Sequence, residues 1–221
     1  MSDLAFSKKY DRKHSEQYFE KHNTGIRRRM TNWREHRLAA HALALLGNPG
    51  SVLDIPCGTG RFWDLLTADP DRNVLAADLN EGMLETARTH RDAALLERID
   101  RLFQSSAFDI DLPDASVDCV FSIRLLHHIV APEDRLRILR EYHRVARQSA
   151  IVSLWVDGSV QARSRQKRDA RRARDGYQNR LVIPRATIES EFAQSGFEIV
   201  AALDVLPRIS MWRMYALRKR P

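Results

Sequence analysis

The sequence predicts an α/β fold, a doubly wound sheet with helices on both faces, and three observations carry that prediction. Short, branched apolar runs alternate with amphipathic helical stretches along most of the chain, the pattern of successive βαβ units. The first run, Val52-Leu-Asp-Ile55, breaks into a turn holding Gly58 and Gly60 and then into a helix start at Arg61-Phe-Trp-Asp-Leu-Leu66. An acid, Asp78, ends the second run, 24 residues beyond Asp54. That is where nucleotide-binding sheets hold a ribose, the glycine turn lying across the carboxyl end of the neighbouring strand.

Taken in order, residues 1–25 are polar with scattered aromatics and read as a helical arm, either a lid over a pocket or a segment packed on the surface. Residues 27–46 read as a helix with a stripe of Trp33, Leu38, Ala42, Leu45 and Leu46, closed by Gly47-Asn-Pro-Gly50. Strand one and its glycine turn follow. Asn73–Asp78 is strand two, and Asp78 or Asn80 can cap the helix 81–91. Residues 99–104 give strand three, 108–116 an acidic loop and 116–122 strand four. Pro132 opens a long helix to about Arg147, with Leu136, Leu139, Tyr142, His143 and Ala146 inward, and strand five runs over 150–156. A helix over 185–195, a strand over 197–200 and an alternating stretch over 212–217 complete the set. The segment 164–175 has good helix formers but almost no apolar face, so it reads as a solvated helix or a mobile loop.

The 221 residues are 43% hydrophobic and 29% charged, which suits one domain over 1–221 with an amino-terminal arm or lid (1–46) and a basic insertion (157–180). No apolar run approaches the ~20 residues of a membrane span, and charges at Lys8, Lys9, Asp11, Arg12 and Lys13 break any signal-peptide core. Two cysteines, Cys57 and Cys119, make no disulfide framework, so a reducing cytoplasm is expected. No Cys/His spacing suggests a metal. The net charge of +7 is uneven. Residues 1–37 hold 10 Lys/Arg against 5 Asp/Glu, and residues 161–180 hold 8 against 2, so two basic segments flank a mildly acidic remainder. Such a distribution points to an anionic partner.

The turn also excludes ligands. No Gly-Lys-Ser/Thr follows Gly60, as a kinase-type phosphate loop requires, and Trp63 stands where a dinucleotide fold places its third glycine. Val52-Leu-Asp-Ile-Pro-Cys-Gly-Thr-Gly60, Asp78, Pro113-Asp-Ala-Ser-Val-Asp118 and Leu126-His-His-Ile129 together resemble the class I S-adenosylmethionine-dependent methyltransferases, in particular their small-molecule branch. The resemblance runs from about Ser51 to Arg147. It implies a Rossmann-like seven-stranded sheet with the last strand antiparallel, and S-adenosylmethionine as cofactor. By this resemblance Asp54, Pro56, Cys57, Gly58 and Gly60 surround the methionine part, Asp78 takes the ribose hydroxyls and Ser122 lies by the methionyl group. Two positions depart from the pattern. Pro56 replaces the first glycine of the turn and removes an N–H. Ser106 stands where an Asp often accepts from adenine, which leaves adenine to backbone contacts near Ala107 and to stacking on Phe108.

For the acceptor half, His127 and His128 are candidate bases, one of them alternatively structural. Arg124 is a candidate anion clamp, or alternatively a partner of the acidic 109–114 loop. Tyr10 and Tyr18 are candidate contacts from the arm. The expected acceptor is an anionic small molecule or a phosphorylated lipid or glycan. The alternatives are an RNA held by the 163–174 segment, and a non-catalytic cofactor-binding protein. The oligomeric state stays open.

Overall fold

The computed structural model describes residues 26–172 and 180–220. The arm over 1–25, with Tyr10 and Tyr18, lies outside the described residues, as does Arg174. The strands are β1 (Ser51–Asp54), β2 (Asn73–Asp78), β3 (Arg101–Gln104), β4 (Val117–Ile123), β5 (Ala146–Trp155), β6 (Phe197–Asp204) and β7 (Trp212–Lys219). They form one sheet in the order β3-β2-β1-β4-β5-β7-β6. Strands β1 to β5 pair parallel, and β7 lies antiparallel to both β5 and β6. The seven-stranded sheet with its last strand reversed is therefore present. The winding direction changes between β1 and β4, and such a switch point opens a crevice at the strands' carboxyl ends.

Around the sheet lie α1 (Ile26–Leu45), α2 (Trp63–Leu66), α3 (Glu81–His90), α4 (Ala93–Leu96), α5 (Pro132–Val145), α6 (Val160–Arg172) and α7 (Arg185–Gln194). The two-residue period of the strands divides the core. Leu53, Val120, Val152, Tyr215 and Leu217 face α5 and α7, while Val52, Cys119, Phe121, Ile151 and Ala216 face α1. Both cysteines are buried as free thiols. No helix among the described residues is long and apolar enough to cross a membrane.

Several boundaries differ from expectation. The inward stripe of α1 is Leu38, Ala39, Ala42 and Leu43, continued by Leu46, whereas Trp33 is 58% exposed and Leu45 37%. A charged side chain, Glu35, occupies the buried position one turn before Leu38. Strand β5 begins at Ala146, directly after α5, not at Ala150. Helix α6 is not purely solvated: Ala162 is buried against Trp155 and Met211. One alanine was too small a signal to mark a packed face.

Helices α5 and α7 are joined by a buried ion pair. Arg135 Nε and Nη2 donate to Glu191 Oε2 and Oε1 at 2.8 and 2.5 Å. Its Nη1 donates to the Ile129 and Val130 carbonyls at 3.0 and 2.9 Å, which fixes the start of α5. Removing one partner strands an uncompensated charge. Glu191→Ala is therefore expected to cost about 3–5 kcal/mol in urea unfolding. Arg135→Met with Glu191→Leu should recover much of that loss.

Candidate active site

The crevice at the switch point is a cleft with about 1080 Å³ of empty space, its open mouth included. Four chain segments line it. The turn after β1 gives Asp54, Ile55, Pro56, Cys57, Gly58, Thr59, Arg61 and Phe62. The end of β2 and start of α3 give Asp78, Leu79, Asn80 and Met83. Ser105 and Ala107 follow β3, and Ile123, Arg124, Leu125 and His128 follow β4.

The turn is held from below and from the side. Gly58 and Gly60 have φ of +55° and +74°, the left-handed region that glycine enters without steric cost. Beneath Gly60 lies the Trp63 indole, which a Cβ at that position would meet at 2.4 Å. Cys57 N donates to the Ala77 carbonyl at 2.9 Å, and Arg91 Nε donates to the Thr59 carbonyl at 2.7 Å. Gly58 N donates to Asp78 Oδ2 at 2.8 Å, and Asn80 N donates to Oδ1 at 2.9 Å. Asn80 is the helix cap, its side chain accepting from Met83 N at 3.2 Å. Asp78 is thus the latch between turn and helix, not the cap.

Both acids of the cleft feel their burial. Desolvation raises the Asp78 carboxyl to about 6 against the opposing backbone N–H groups of Asn80, Gly58 and Leu79. It also raises Asp54 well above the ordinary range, opposed in part by Trp63 and reinforced by the charge of Asp78. Burial pushes the Cys57 thiol up as well, so it is no nucleophile near neutrality.

On the opposite wall, Glu35 of α1 reaches two arginines. Arg124 Nη2 donates to both of its oxygens, at 2.9 and 2.7 Å, and Arg61 Nη2 pairs with Oε2. Burial opposes charge on Glu35, but Arg124 and Arg61 more than offset it and hold the carboxyl below its ordinary value. Arg124 itself has φ +67° and stacks its guanidinium 4.6 Å from the Trp212 ring. Its partner is therefore Glu35, and not the 109–114 loop.

The expected cofactor residues divide. Asp54, Pro56, Cys57, Gly58, Asp78 and Ala107 line the cleft, and Gly60 shapes it from beneath. Three others are not among its walls. Ser122 is 1% exposed and hydrogen-bonds Tyr142 Oη at 2.7 Å. The Ser106 hydroxyl accepts from Phe108 N at 3.2 Å, and Phe108 packs in the core. The apolar wall that Phe108 was expected to give comes from Leu79 and Met83. Of the two histidines, His128 faces the cleft, while His127 is 2% exposed and stacked on Trp155 with ring centroids 4.7 Å apart. Burial, then His128 and three nearby arginines, push the His127 pKa well below its ordinary value, so the imidazole is neutral. Glu35, Arg61, Asn80, Met83 and Ser105 were not foreseen. Only the Asn80 cap and an acid set in the stripe of α1 carried a readable signal.

The walls suit an adenosyl ligand. Asp78 offers acceptor lone pairs beside a glycine wall where an added Cβ at Gly58 meets nothing within 4 Å. Leu79 and Met83 offer an apolar face for a base. The two glycines should then separate in function. Gly60→Ala is expected to lower stability by more than about 1 kcal/mol, through left-handed strain and the Trp63 clash. Gly58→Ala should unfold closer to the parent yet weaken S-adenosylhomocysteine binding in calorimetry, because its methyl group projects into the cleft.

Residues 53–154 match the model of the methyltransferase domain family. The chain is 34% identical over 152 residues to the malonyl-[acyl-carrier protein] O-methyltransferase of Methylococcus capsulatus, covering 67% of this chain and 52% of that protein. It is 26% identical over 155 residues to the 27-O-demethylrifamycin SV methyltransferase of Amycolatopsis mediterranei, covering 70% and 56%. The chain thus spans about half the length of these curated relatives. Among solved structures, the magnesium protoporphyrin IX methyltransferase of Synechocystis PCC 6803 with bound SAH superposes with a TM-score of 0.72 at 16% identity, over 92% of this chain and 93% of that one. That likeness is one of fold. With the glycine turn, the Asp78 latch and the switch-point cleft, these matches identify residues 53–154 as a methyltransferase domain on the fold of the class I S-adenosylmethionine-dependent enzymes.

Proposed function

We propose that this chain transfers a methyl group from S-adenosylmethionine to an anionic small molecule. The observation that carries the acceptor class is the wall opposite Asp78, where two guanidiniums, Arg61 and Arg124, share the single carboxylate of Glu35. That wall presents two guanidiniums, one of them also stacked on Trp212, in a cleft whose low dielectric strengthens their pull on an anion. Of the relatives named above, the 27-O-demethylrifamycin SV methyltransferase supports an acceptor of modest size.

S-adenosylmethionine, when bound, supplies a methyl group already activated on a sulfonium. The residues of this chain need mainly to position the two reactants in line and to exclude water. Asp78 would accept from the ribose hydroxyls, and Leu79 and Met83 would cover the base. Asp54 and the turn residues to Gly58 would enclose the methionine end. His128 is the group placed to take a proton where the acceptor must lose one. His127, buried among tryptophans, does not reach the cleft.

The test is transfer of labelled methyl into fractionated cell extract. The expected outcome is label in the small-molecule fraction, lost in Asp78→Ala. Nuclease-sensitive label that falls steeply with salt would instead favour RNA held by the basic 163–174 segment, the second reading, which the 7 Lys/Arg of those residues support. Asp78 also fixes a pH signature. Its carboxyl lies at about 6 in the ligand-free protein, above the ordinary 3.8. A ligand that needs the charged form must expel a proton below that pH, so S-adenosylhomocysteine affinity should fall by up to about tenfold per pH unit below 6 and stay flat above it. The Asp78 contribution to stability has the opposite sign. The folded chain binds the extra proton, so that contribution improves as pH falls through 6.

A further inference from the structure

Behind His128, outside the lining of the cleft, three buried polar atoms lack hydrogen-bond partners among the described residues: His127 Nδ1, Trp155 Nε1 and Arg180 Nε. They belong to one cluster. His127 stacks on Trp155, and Trp212 stands edge-on to both, with centroids 5.0 and 5.5 Å away. The Arg180 and Arg165 guanidiniums lie 5.7 and 5.2 Å from the Trp155 ring. Arg165 is paired with Asp169 at 2.9 Å. Among the described residues Arg180 has no acidic partner. Leaving a buried polar group unsatisfied is costly, so three around one side chain call for a physical reason.

The chemistry of the three atoms narrows that reason. Trp155 Nε1 and Arg180 Nε can only donate, and His127 Nδ1 donates in one tautomer of the neutral ring. A water accepts two hydrogen bonds, whereas a carboxylate or phosphate only accepts and has lone pairs for more. The cluster is roofed by α6, through Ala162 against Trp155, and by the strand of chain at 181–183, where Leu181 N donates to the His127 carbonyl at 2.7 Å. It shares two walls with the cleft: Arg124 stacks on Trp212, and the ring of His128 lies 4.2 Å from that of His127.

We propose that His127, Trp155 and Arg180, with Arg165 above them, anchor an oxyanion carried by the methyl acceptor, so that the acceptor spans from this cluster past His128 into the cleft. This rests on the reading of the chain as a methyltransferase of anionic small molecules and adds the place where the anion sits. Arg124, engaged by Glu35, then acts as the partition between the two compartments, and the basic charge of α6 draws the acceptor toward its anchor. His127 serves as a hydrogen-bond donor to the acceptor's anion and not as its base.

The test titrates the full chain, saturated with S-adenosylhomocysteine, with succinate and with inorganic phosphate. Calorimetry gives affinity, and the Trp155 indole N–H resonance reports contact. One saturable anion per chain that shifts the Trp155 resonance is expected. Arg180→Gln should weaken it about tenfold, the scale of one charge-assisted hydrogen bond, and Trp155→Phe, which keeps the ring but removes the donor, should weaken it less. Neither variant should change S-adenosylhomocysteine affinity. Tighter succinate assigns a carboxylate acceptor, and tighter phosphate a phosphorylated one. Asp78→Ala should lose S-adenosylhomocysteine and keep the anion, which separates this site from the cofactor reading. Absence of saturable binding, or equal affinity in Arg180→Gln, would overturn the proposal.

Discussion

The cleft depends on one carboxylate that burial disfavours. Asp78 accepts from the backbone of Gly58 on one side and of Asn80 on the other, so a single side chain joins the turn after β1 to the helix after β2. Without it two glycines with left-handed backbone would have little to hold them at the strand end. In the proposed function the same group is also the ligand's acceptor. Its structural and binding roles compete for lone pairs on the same two oxygens, and a carboxylate has enough for both. The raised pKa is the cost of placing that charge out of water, and a bound ligand with hydroxyl donors would offset it.

The opposite wall is organised by the same logic with the sign reversed. Glu35 comes from α1, Arg61 from the glycine turn and Arg124 from the end of β4. The first helix is thereby tied to both edges of the switch point. Arg34 Nε adds a bond to the Val205 carbonyl at 3.0 Å, joining that helix to the end of the sheet. Helix α1 is part of the candidate site's wall and not an appendage to it.

Much of this was legible in the sequence, where local chemistry decides the outcome. The glycine turn, the acid ending β2, the Asn80 cap and the β/α alternation each act within a few residues, and each appears where its spacing places it. Long-range pairing was not legible. Nothing near Arg124 in sequence says that its carboxylate lies 89 positions earlier. Ser122, near the end of β4, could face the ligand or the layer beneath, and its bond to Tyr142 of α5 decides which; Phe108, in the loop after β3, turns into the core instead of the cleft. His127 and His128 are adjacent and chemically alike, yet the single turn of 3₁₀ helix over Leu126–His128 sends one into the tryptophans and the other into the cleft.

The placement of the tryptophans has an optical consequence. The chain has four. Trp33 is largely in water, Trp63 lies under the glycine turn, and Trp155 and Trp212 flank the wall behind His128. The indole emission of this protein therefore divides into one largely solvent-exposed component and two packed ones, one under the glycine turn and one behind His128. A neutral imidazole stacked on Trp155 and a guanidinium over Trp212 make the component behind His128 sensitive to local charge. The natural chromophores can thus follow each half of the site without any label.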